Sequence, residues 1–343
     1  MSWRSTLAAL LLSSAAALCA PCRADDGLSR CAKIENADER LACYDALARP
    51  PAPAPAPAAG GLRAAPYLTD AWKLGPGDAG VRPLADILPY RPNYIIFRWT
   101  DRPNSTPRSP GTGRSSIPDL DHVELRVQGS LKTELVSREA FDRVGVSPAL
   151  RHVGFDSARL WFAYTQKMNW QSFNRGESRP ISDTNYEPEL ILTLGREKQG
   201  NGFKLVNLGA SHESNGLDPS EHREWNRLYV QPGWDWNGLS VLPRLWYVIP
   251  GSDYDNPNIR KYMGDGDLVT RYETQTHYVG YLLLRHNFSS GRGFMEFDWA
   301  TPVFKQLGGL KFFAQFTAGY GETLIDYNHH QATIGAGVSF ADW

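Results

Sequence analysis

The chain has 343 residues and a formal net charge of -1, with acidic and basic residues evenly mixed. No basic stripe indicates a nucleic-acid partner, and no acidic tail indicates disorder, so a nucleic-acid-binding function is not expected. Eleven Trp and fifteen Tyr accompany 31 Gly, yet no stretch beyond the amino-terminal region has the ~18 consecutive apolar residues of a spanning helix. This combination is typical of membrane β-barrels, in which outward apolar residues alternate with inward polar ones.

Residues 1–24 are predicted to be a signal peptide. Arg4 supplies a positive start, residues 7–18 form an apolar core, and Ala24 is a small residue before an acidic pair. The residues before Cys19 and Cys22 do not form the lipoprotein pattern, so no amino-terminal lipid anchor is expected. The mature chain is therefore predicted to be exported.

Two short units are predicted to precede the main domain. Residues 25–49 have helix-type apolar spacing and are interpreted as a small periplasmic segment. Its cysteines, Cys31 and Cys43, favour a disulfide in an oxidising compartment, with two reduced thiols as the alternative. Residues 50–61 are rich in Pro and Ala and cannot pack a core, so they are interpreted as a linker. Residues 62–92 are interpreted as a connection to the barrel.

Residues 93–343 have an apolar period of two, which predicts β-strands with one apolar face. A soluble sandwich would also alternate, but it would not need strands of about 10 residues in nearly every case. The count of about twelve is even, which suits a closed barrel. The sequence therefore predicts an all-β fold, a twelve-stranded antiparallel transmembrane β-barrel. The predicted strands lie near residues 93–100, 122–132, 158–168, 187–195, 203–214, 224–232, 239–249, 266–275, 277–287, 292–300, 310–320 and 331–340.

A polar pair interrupts the apolar face of the strand predicted at 203–214. His212 and Ser214 are in phase with Leu208 and are therefore expected on the lipid-facing side. On the next strand Asn226 is in phase with the outward residues, and a hairpin brings it beside His212. A serine hydroxyl beside an imidazole that a third group orients is the arrangement that activates a nucleophile. The alternative is a histidine of the aromatic belt beside an ordinary strand-end serine.

These residues lie in strings that resemble the outer membrane phospholipase A family of Gram-negative bacteria. The strings are HESNG at 212–216 and WNRLY at 225–229. The chain's carboxy-terminal strand, which ends near the aromatic Trp343, also resembles the insertion signal of outer-membrane barrels. The resemblance covers most of residues 93–343 and continues through YTQ at 164–166, TNYEP at 184–188, DNP at 255–257, KYMG at 261–264 and GYGETLIDYN at 319–328.

The resemblance implies a twelve-stranded barrel in the outer membrane of a Gram-negative bacterium. It also implies calcium-dependent hydrolysis of phospholipid and lysophospholipid acyl esters at both glycerol positions (phospholipase A1 and A2), and activation as a homodimer. By position, Ser214 is the nucleophile, His212 the general base and Asn226 the orienting residue. The backbone amide of Gly216 would stabilise the oxyanion together with the metal, and Gln166 matches a polar residue at the dimer contact.

The resemblance further implies that Ca2+ is bound by oxygen atoms. They are the carbonyl of Leu217, a serine hydroxyl in the same loop and, from the partner chain, a carbonyl at Ser178. Counting without gaps places His222 at the loop-serine position, and imidazole is a poor ligand for a hard cation. Either Ser220 supplies the hydroxyl through a shifted loop or water replaces it. Asp255 matches a second calcium position of the monomeric form, with a plain turn residue as the alternative.

A passive pore or structural barrel is the rival interpretation. Its inward polar residues would conduct solutes or form a hydrogen-bonded plug, because a barrel of ~12 strands is narrow. A pore would not need His212, Ser214 and Asn226 on the outside. Conductance that calcium leaves unchanged, without lipid turnover, would favour the pore.

Overall fold

The computed structural model describes residues 31–48, 66–75, 84–114, 120–174, 181–197, 200–304 and 309–340. The predicted signal peptide (1–24), the predicted linker (50–61), Ser178 and Trp343 lie outside the described residues, so the expectations placed on them stay predictions. The chain divides into two compact units, Met1–Gly61 and Leu62–Trp343.

The described part of the first unit is a short helix joined by a disulfide to the residues before it. Helix α1 spans Ala37–Ala48. The side-chain oxygen of Asn36 accepts hydrogen bonds from the backbone amides of Asp38 and Glu39, at 2.9 and 3.3 Å, which satisfies amides that the first helical turn leaves unpaired. Cys31 and Cys43 are disulfide-bonded, with Cα atoms 5.6 Å apart.

The second unit is a closed antiparallel β-barrel, which confirms the fold class predicted from the sequence. Its strands are β1 (Ile87–Pro89), β2 (Tyr94–Thr100), β3 (Arg108–Ser109), β4 (Gly113–Arg114), β5 (Val123–Val136), β6 (Ser157–Trp170), β7 (Ile181–Gly195), β8 (Gly202–Ser214), β9 (Glu224–Trp236), β10 (Leu239–Val248), β11 (Gly266–Glu273), β12 (Val279–Asn287), β13 (Arg292–Ala300), β14 (Lys311–Tyr320) and β15 (His330–Ser339). The main sheet has 13 strands. Twelve of them form a ring, which is closed by the pairing of β5 with β6. The remaining strand, β1, pairs with β5, which also pairs with β2. The small pair β3–β4 lies outside this sheet.

Alternation along each strand separates an apolar outer face from a polar inner face. In β2, Tyr94 and Arg98 are buried in the barrel, whereas Phe97 between them is 54% exposed. The period of two follows from the pleat, which directs successive side chains to opposite faces. Exposed large apolar residues recur on the outer face around the ring, as a lipid-facing surface requires. Among the described residues, the helices are too short and too polar to cross a membrane.

The lumen is filled by paired charges. Arg126 and Glu322 are buried and form an ion pair at 2.6 Å. Arg244 and Asp267 pair at 2.5 Å. Burying charged groups is tolerated where each has a partner. Ion pairs of this kind across the lumen restrict movement of the strands, whose other face carries the outward residues.

Helix α2, Tyr67–Ala71, packs against inward-facing residues of the ring. The backbone amide of Leu68 donates to Asp235 at 3.0 Å. Trp72 meets Trp161 edge to face at 6.0 Å, and the Lys132 ammonium lies 3.4 Å from the Trp72 ring centroid. Residues 62–92, which are interpreted from the sequence as a connection, therefore include an apolar anchor formed by helix α2 and Trp72. This segment has too few residues to show a periodic apolar pattern in the sequence.

Successive ring strands run in opposite directions, so the connections after β2, β6, β8, β10, β12 and β14 meet at one end, called here the loop end. Two of these connections, residues 215–223 and 249–265, flank the ends of β8 and β9; the second contains helix α5, Arg260–Met263. The opposite end carries helices α3, Arg138–Arg143, and α4, Val146–Arg151. The predicted catalytic residues lie at the loop end.

Candidate active site

Register places the predicted triad on one face of the β8–β9 pair. His212 pairs directly with Asn226, and Ser214 pairs with Glu224. Residues directly opposite each other in an antiparallel pair point to the same side of the sheet. The same face carries Leu208 and Leu228, which are 42% and 49% exposed. His212, Ser214 and Asn226 therefore lie on the lipid-facing side of the wall, near its rim.

A short hydrogen bond joins the imidazole to the amide. His212 Nδ1 lies 2.7 Å from Asn226 Oδ1. An amide oxygen carries no proton, so the bond requires the proton on Nδ1 and leaves Nε2 with a free lone pair. This is the tautomer that a general base needs.

The connection after β10 holds Asn226 in place. The backbone amide of Asn226 donates to the Ser252 hydroxyl at 3.0 Å, and that hydroxyl donates to the carbonyl of Ile249 at 2.7 Å. The sequence alone gave no reason to assign a role to Ser252. Its contribution arises because the connection after β10 continues alongside strand β9, where the Ile249 amide also donates to the Asn226 carbonyl at 2.9 Å.

The backbone after the serine turns its amide back toward the hydroxyl. The Gly216 N–H donates to Ser214 Oγ at 3.3 Å. Gly216 has a φ of 60°, and a Cβ at this position would lie 3.1 Å from the Tyr186 ring. A positive φ combined with close packing favours glycine here. The turn therefore places a backbone donor beside the predicted nucleophile.

Side chains on the inner face of the barrel also hold strand β8 in position against β9. Glu213, between His212 and Ser214, accepts hydrogen bonds from Trp225 Nε1 at 2.9 Å and from Arg227 at 2.8 Å. Arg227 also pairs with Glu187 at 2.7 Å. These partly buried bonds restrict sliding of β8 against β9.

A cluster of one imidazole and two carboxylates lies next to the serine. His222 Nδ1 is 2.5 Å from Asp255 Oδ2. With Glu224, the potential ligand atoms of the three side chains all lie within 4.8 Å of one another. Glu224 was not a predicted site residue, although its register opposite Ser214 follows from the phase of Asn226.

The predicted calcium residues are not all in this cluster. Asp255 is part of it, whereas Ser220 is exposed in the connection 215–223. Leu217 is half-buried, and its amide lies 3.5 Å from Asn215 Oδ1. Ser178 lies outside the described residues.

Arg223 is a neighbouring positive charge. Its guanidinium donates to the Thr112 hydroxyl and to the carbonyl of His222, both at 2.6 Å. Burial, the largest cause, lowers the pKa of Arg223 below its ordinary value, while Tyr327 and Asp255 act in the opposite direction. Arg223 therefore ties the connection 215–223 to the connection 101–122.

A closed barrel with an apolar outer face is typical of a membrane protein, and a serine, a histidine and an asparagine grouped on that face are the side chains that a hydrolase would use. The phospholipase A1 family model matches residues 71–340. The chain belongs to the phospholipase A1 family and is an outer-membrane carboxylic ester hydrolase.

Three similar proteins illustrate this membership. A putative phospholipase A1 of Neisseria meningitidis serogroup B is 34% identical over 270 residues, which are 76% of this chain and 67% of the relative. The Salmonella typhi outer membrane phospholipase, solved as a dimer with bound calcium, is 32% identical with a TM-score of 0.63 over 76% of this chain and 94% of that one. An active-site mutant of Escherichia coli outer membrane phospholipase A, with asparagine replaced by alanine, is 31% identical with a TM-score of 0.64 over 76% of this chain and 93% of that one.

Proposed function

We propose that the protein hydrolyses acyl esters of phospholipids and lysophospholipids at both glycerol positions, with calcium, through the triad Ser214, His212 and Asn226. The observation that carries this proposal is the 2.7 Å bond between His212 Nδ1 and Asn226 Oδ1 on the face that also holds Ser214. The E. coli relative with a mutated active-site asparagine supports the role of Asn226. A polar triad on a lipid-facing wall is costly unless its members satisfy one another, so its presence there argues for chemistry.

The reaction begins with the ester of a phospholipid at the barrel wall. His212 Nε2 accepts the Ser214 proton as Ser214 Oγ attacks the carbonyl carbon, and the Gly216 amide donates to the developing oxyanion. His212 then gives the proton to the departing alcohol, which leaves an acyl group on Ser214. Water, activated by the same imidazole, releases the fatty acid. Ser214 lies on the outer face of the barrel, where either ester of a glycerophospholipid in the bilayer can approach it. This placement supports A1 and A2 activity.

Calcium is proposed at the loop end, close to the nucleophile. The donors that fit it are oxygens: the Leu217 carbonyl, the exposed Ser220 hydroxyl, the Asp255 carboxylate and, in a dimer, the carbonyl of Ser178 of the partner subunit. Oxygen donors of this kind are what Ca2+ prefers. When bound, the metal supplies positive charge that stabilises the oxyanion.

A homodimer is proposed as the active form. The Salmonella relative is a dimer with bound calcium. In this chain Gln166 lies on the outer face of β6, next to the buried Thr165, and accepts a hydrogen bond from Tyr164 at 3.2 Å. A polar amide among lipid-facing residues is stabilised by pairing with a second barrel.

The lumen does not favour a passive pore. Its inner residues include buried ion pairs, and helix α2 packs against the inner wall near Trp161 and Lys132. An internal cavity of about 100 Å³, lined by Arg91, Glu187 and Arg227 among others, has room for a few water molecules.

Replacing Asn226 by Ala is expected to lower kcat by roughly 10- to 100-fold, with little change in KM, because His212 loses the acceptor that sets its tautomer. Asn226→Asp keeps an acceptor for Nδ1 and should lose less. Asn201→Ala, at an exposed asparagine on the opposite end of the barrel, is the control. Steady-state fatty-acid release measures all three, and an Asn226→Ala rate equal to wild type would remove Asn226 from the triad.

A further inference from the structure

The cluster His222, Glu224 and Asp255 has the geometry of a metal site built from side chains of one protomer. The potential ligand atoms lie within 4.8 Å of one another. The three side chains are therefore close enough to hold one cation between them after small side-chain movements. The His222 and Asp255 side chains are 25% and 24% exposed, so a metal can enter from solvent.

Hydrogen bonds hold the backbone of Glu224 and Asp255. The Glu224 amide donates to Asn256 Oδ1, and the Asn256 side chain donates to the Glu224 carbonyl, both at 2.9 Å. The carbonyl of Asp255 accepts from the Ser109 hydroxyl. Ligands fixed in this way lose little entropy on binding.

The donor set differs from the proposed calcium ligands, with which it shares only the Asp255 carboxylate. Imidazole nitrogen with two carboxylates suits Zn2+ and related transition metals, whereas calcium takes oxygen donors. Three protein ligands leave a fourth position for water. His222 stands where the phospholipase resemblance implies a serine, so the nitrogen donor is a departure of this chain from that pattern.

We propose that His222, Glu224 and Asp255 bind one transition-metal ion of the zinc class within a single protomer. Because Glu224 pairs with Ser214 in the β8–β9 register, the ion lies at the rim beside the nucleophile. It joins the connection 215–223 to the connection 249–265. This proposal does not depend on the hydrolytic mechanism.

The test is titration of refolded, chelator-stripped protein in detergent micelles with Co2+, a zinc substitute whose visible absorption reports the ligand set. Wild type and Ser214→Ala are expected to bind one Co2+ each. His222→Ser and Glu224→Gln should weaken binding by about 100-fold or more, since each removes a ligand. His277→Ser is the matched control, because His277 pairs with Glu273 at 2.7 Å but is not in the three-ligand cluster.

Loss of the cobalt spectrum in His222→Ser and Glu224→Gln, with retention in His277→Ser, supports the site. Equal spectra in wild type and His222→Ser, or no cobalt binding by folded wild type, overturn it. The Ser214→Ala protein separates the two proposals, because it should lack hydrolysis yet bind Co2+. Folding of every variant is checked by the heat-dependent shift of the barrel in gel electrophoresis.

Discussion

Ser214→Ala is expected to abolish fatty-acid release, with kcat reduced by roughly 10³-fold or more. The substitution removes the oxygen that forms the acyl-enzyme, and neither His212 nor the Gly216 amide can replace it. The remaining rate would come from lipid binding and from oxyanion stabilisation of direct water attack. Mixed micelles containing phospholipid labelled at one or the other acyl position would report A1 and A2 cleavage separately.

Ser211→Ala is the matched control for this experiment. Ser211 lies on the same strand, faces the lumen and is buried. Its hydroxyl has no hydrogen-bond partner within the described part of the chain, so its removal should leave the rate near that of wild type. A Ser214→Ala protein that released fatty acid at the wild-type rate would reject Ser214 as the nucleophile. Loss of cleavage at one acyl position alone would reject a single nucleophile for both.

Removal of calcium is expected to lower kcat by about 10²- to 10³-fold while lipid binding changes little. The proposed metal acts on the oxyanion, which exists in the transition state and not in the bound ester. Activity should return when calcium is added back. Release assays in chelator, with vesicle binding measured in parallel, separate turnover from binding.

Asp255→Asn is expected to raise the calcium concentration needed for half-maximal activity, because the amide loses a negative charge. Asp265→Asn is the control on the same connection: Asp265 is exposed and pairs with Arg260 at 2.5 Å, an arrangement that contributes little. Full activity in chelator would contradict a calcium requirement. An unchanged calcium response in Asp255→Asn would remove Asp255 from the ligands.

The barrel and the placement of His212, Ser214 and Asn226 on one face could be predicted because both depend on local pattern. A period of two fixes which residues share a face, so the phase of Asn226 with Leu228 was enough to place it beside His212 across a hairpin. The resemblance through residues 212–229 added the expected roles. Register in the structure agrees with this phase.

The cluster at the rim could not be predicted because it joins segments that are distant in sequence. Asp255 meets His222 only after the connections 215–223 and 249–265 come together at the loop end. Ser252 supports the Asn226 backbone because the chain beyond β10 turns back against strand β9, a turn that the strand pattern does not show. The apolar anchor around Trp72 has too few residues for a periodic pattern.

Covalent trapping of the nucleophile tests the central claim most directly. The wild-type barrel, refolded in micelles with calcium, would be treated with an alkyl sulfonyl fluoride, digested and mapped by mass spectrometry. One adduct on Ser214, formed in step with loss of fatty-acid release and slowed strongly in His212→Ala, is the predicted result. Complete inactivation with Ser214 unmodified, or an adduct on a different residue that accounts for the loss of activity, would contradict a serine mechanism at this wall.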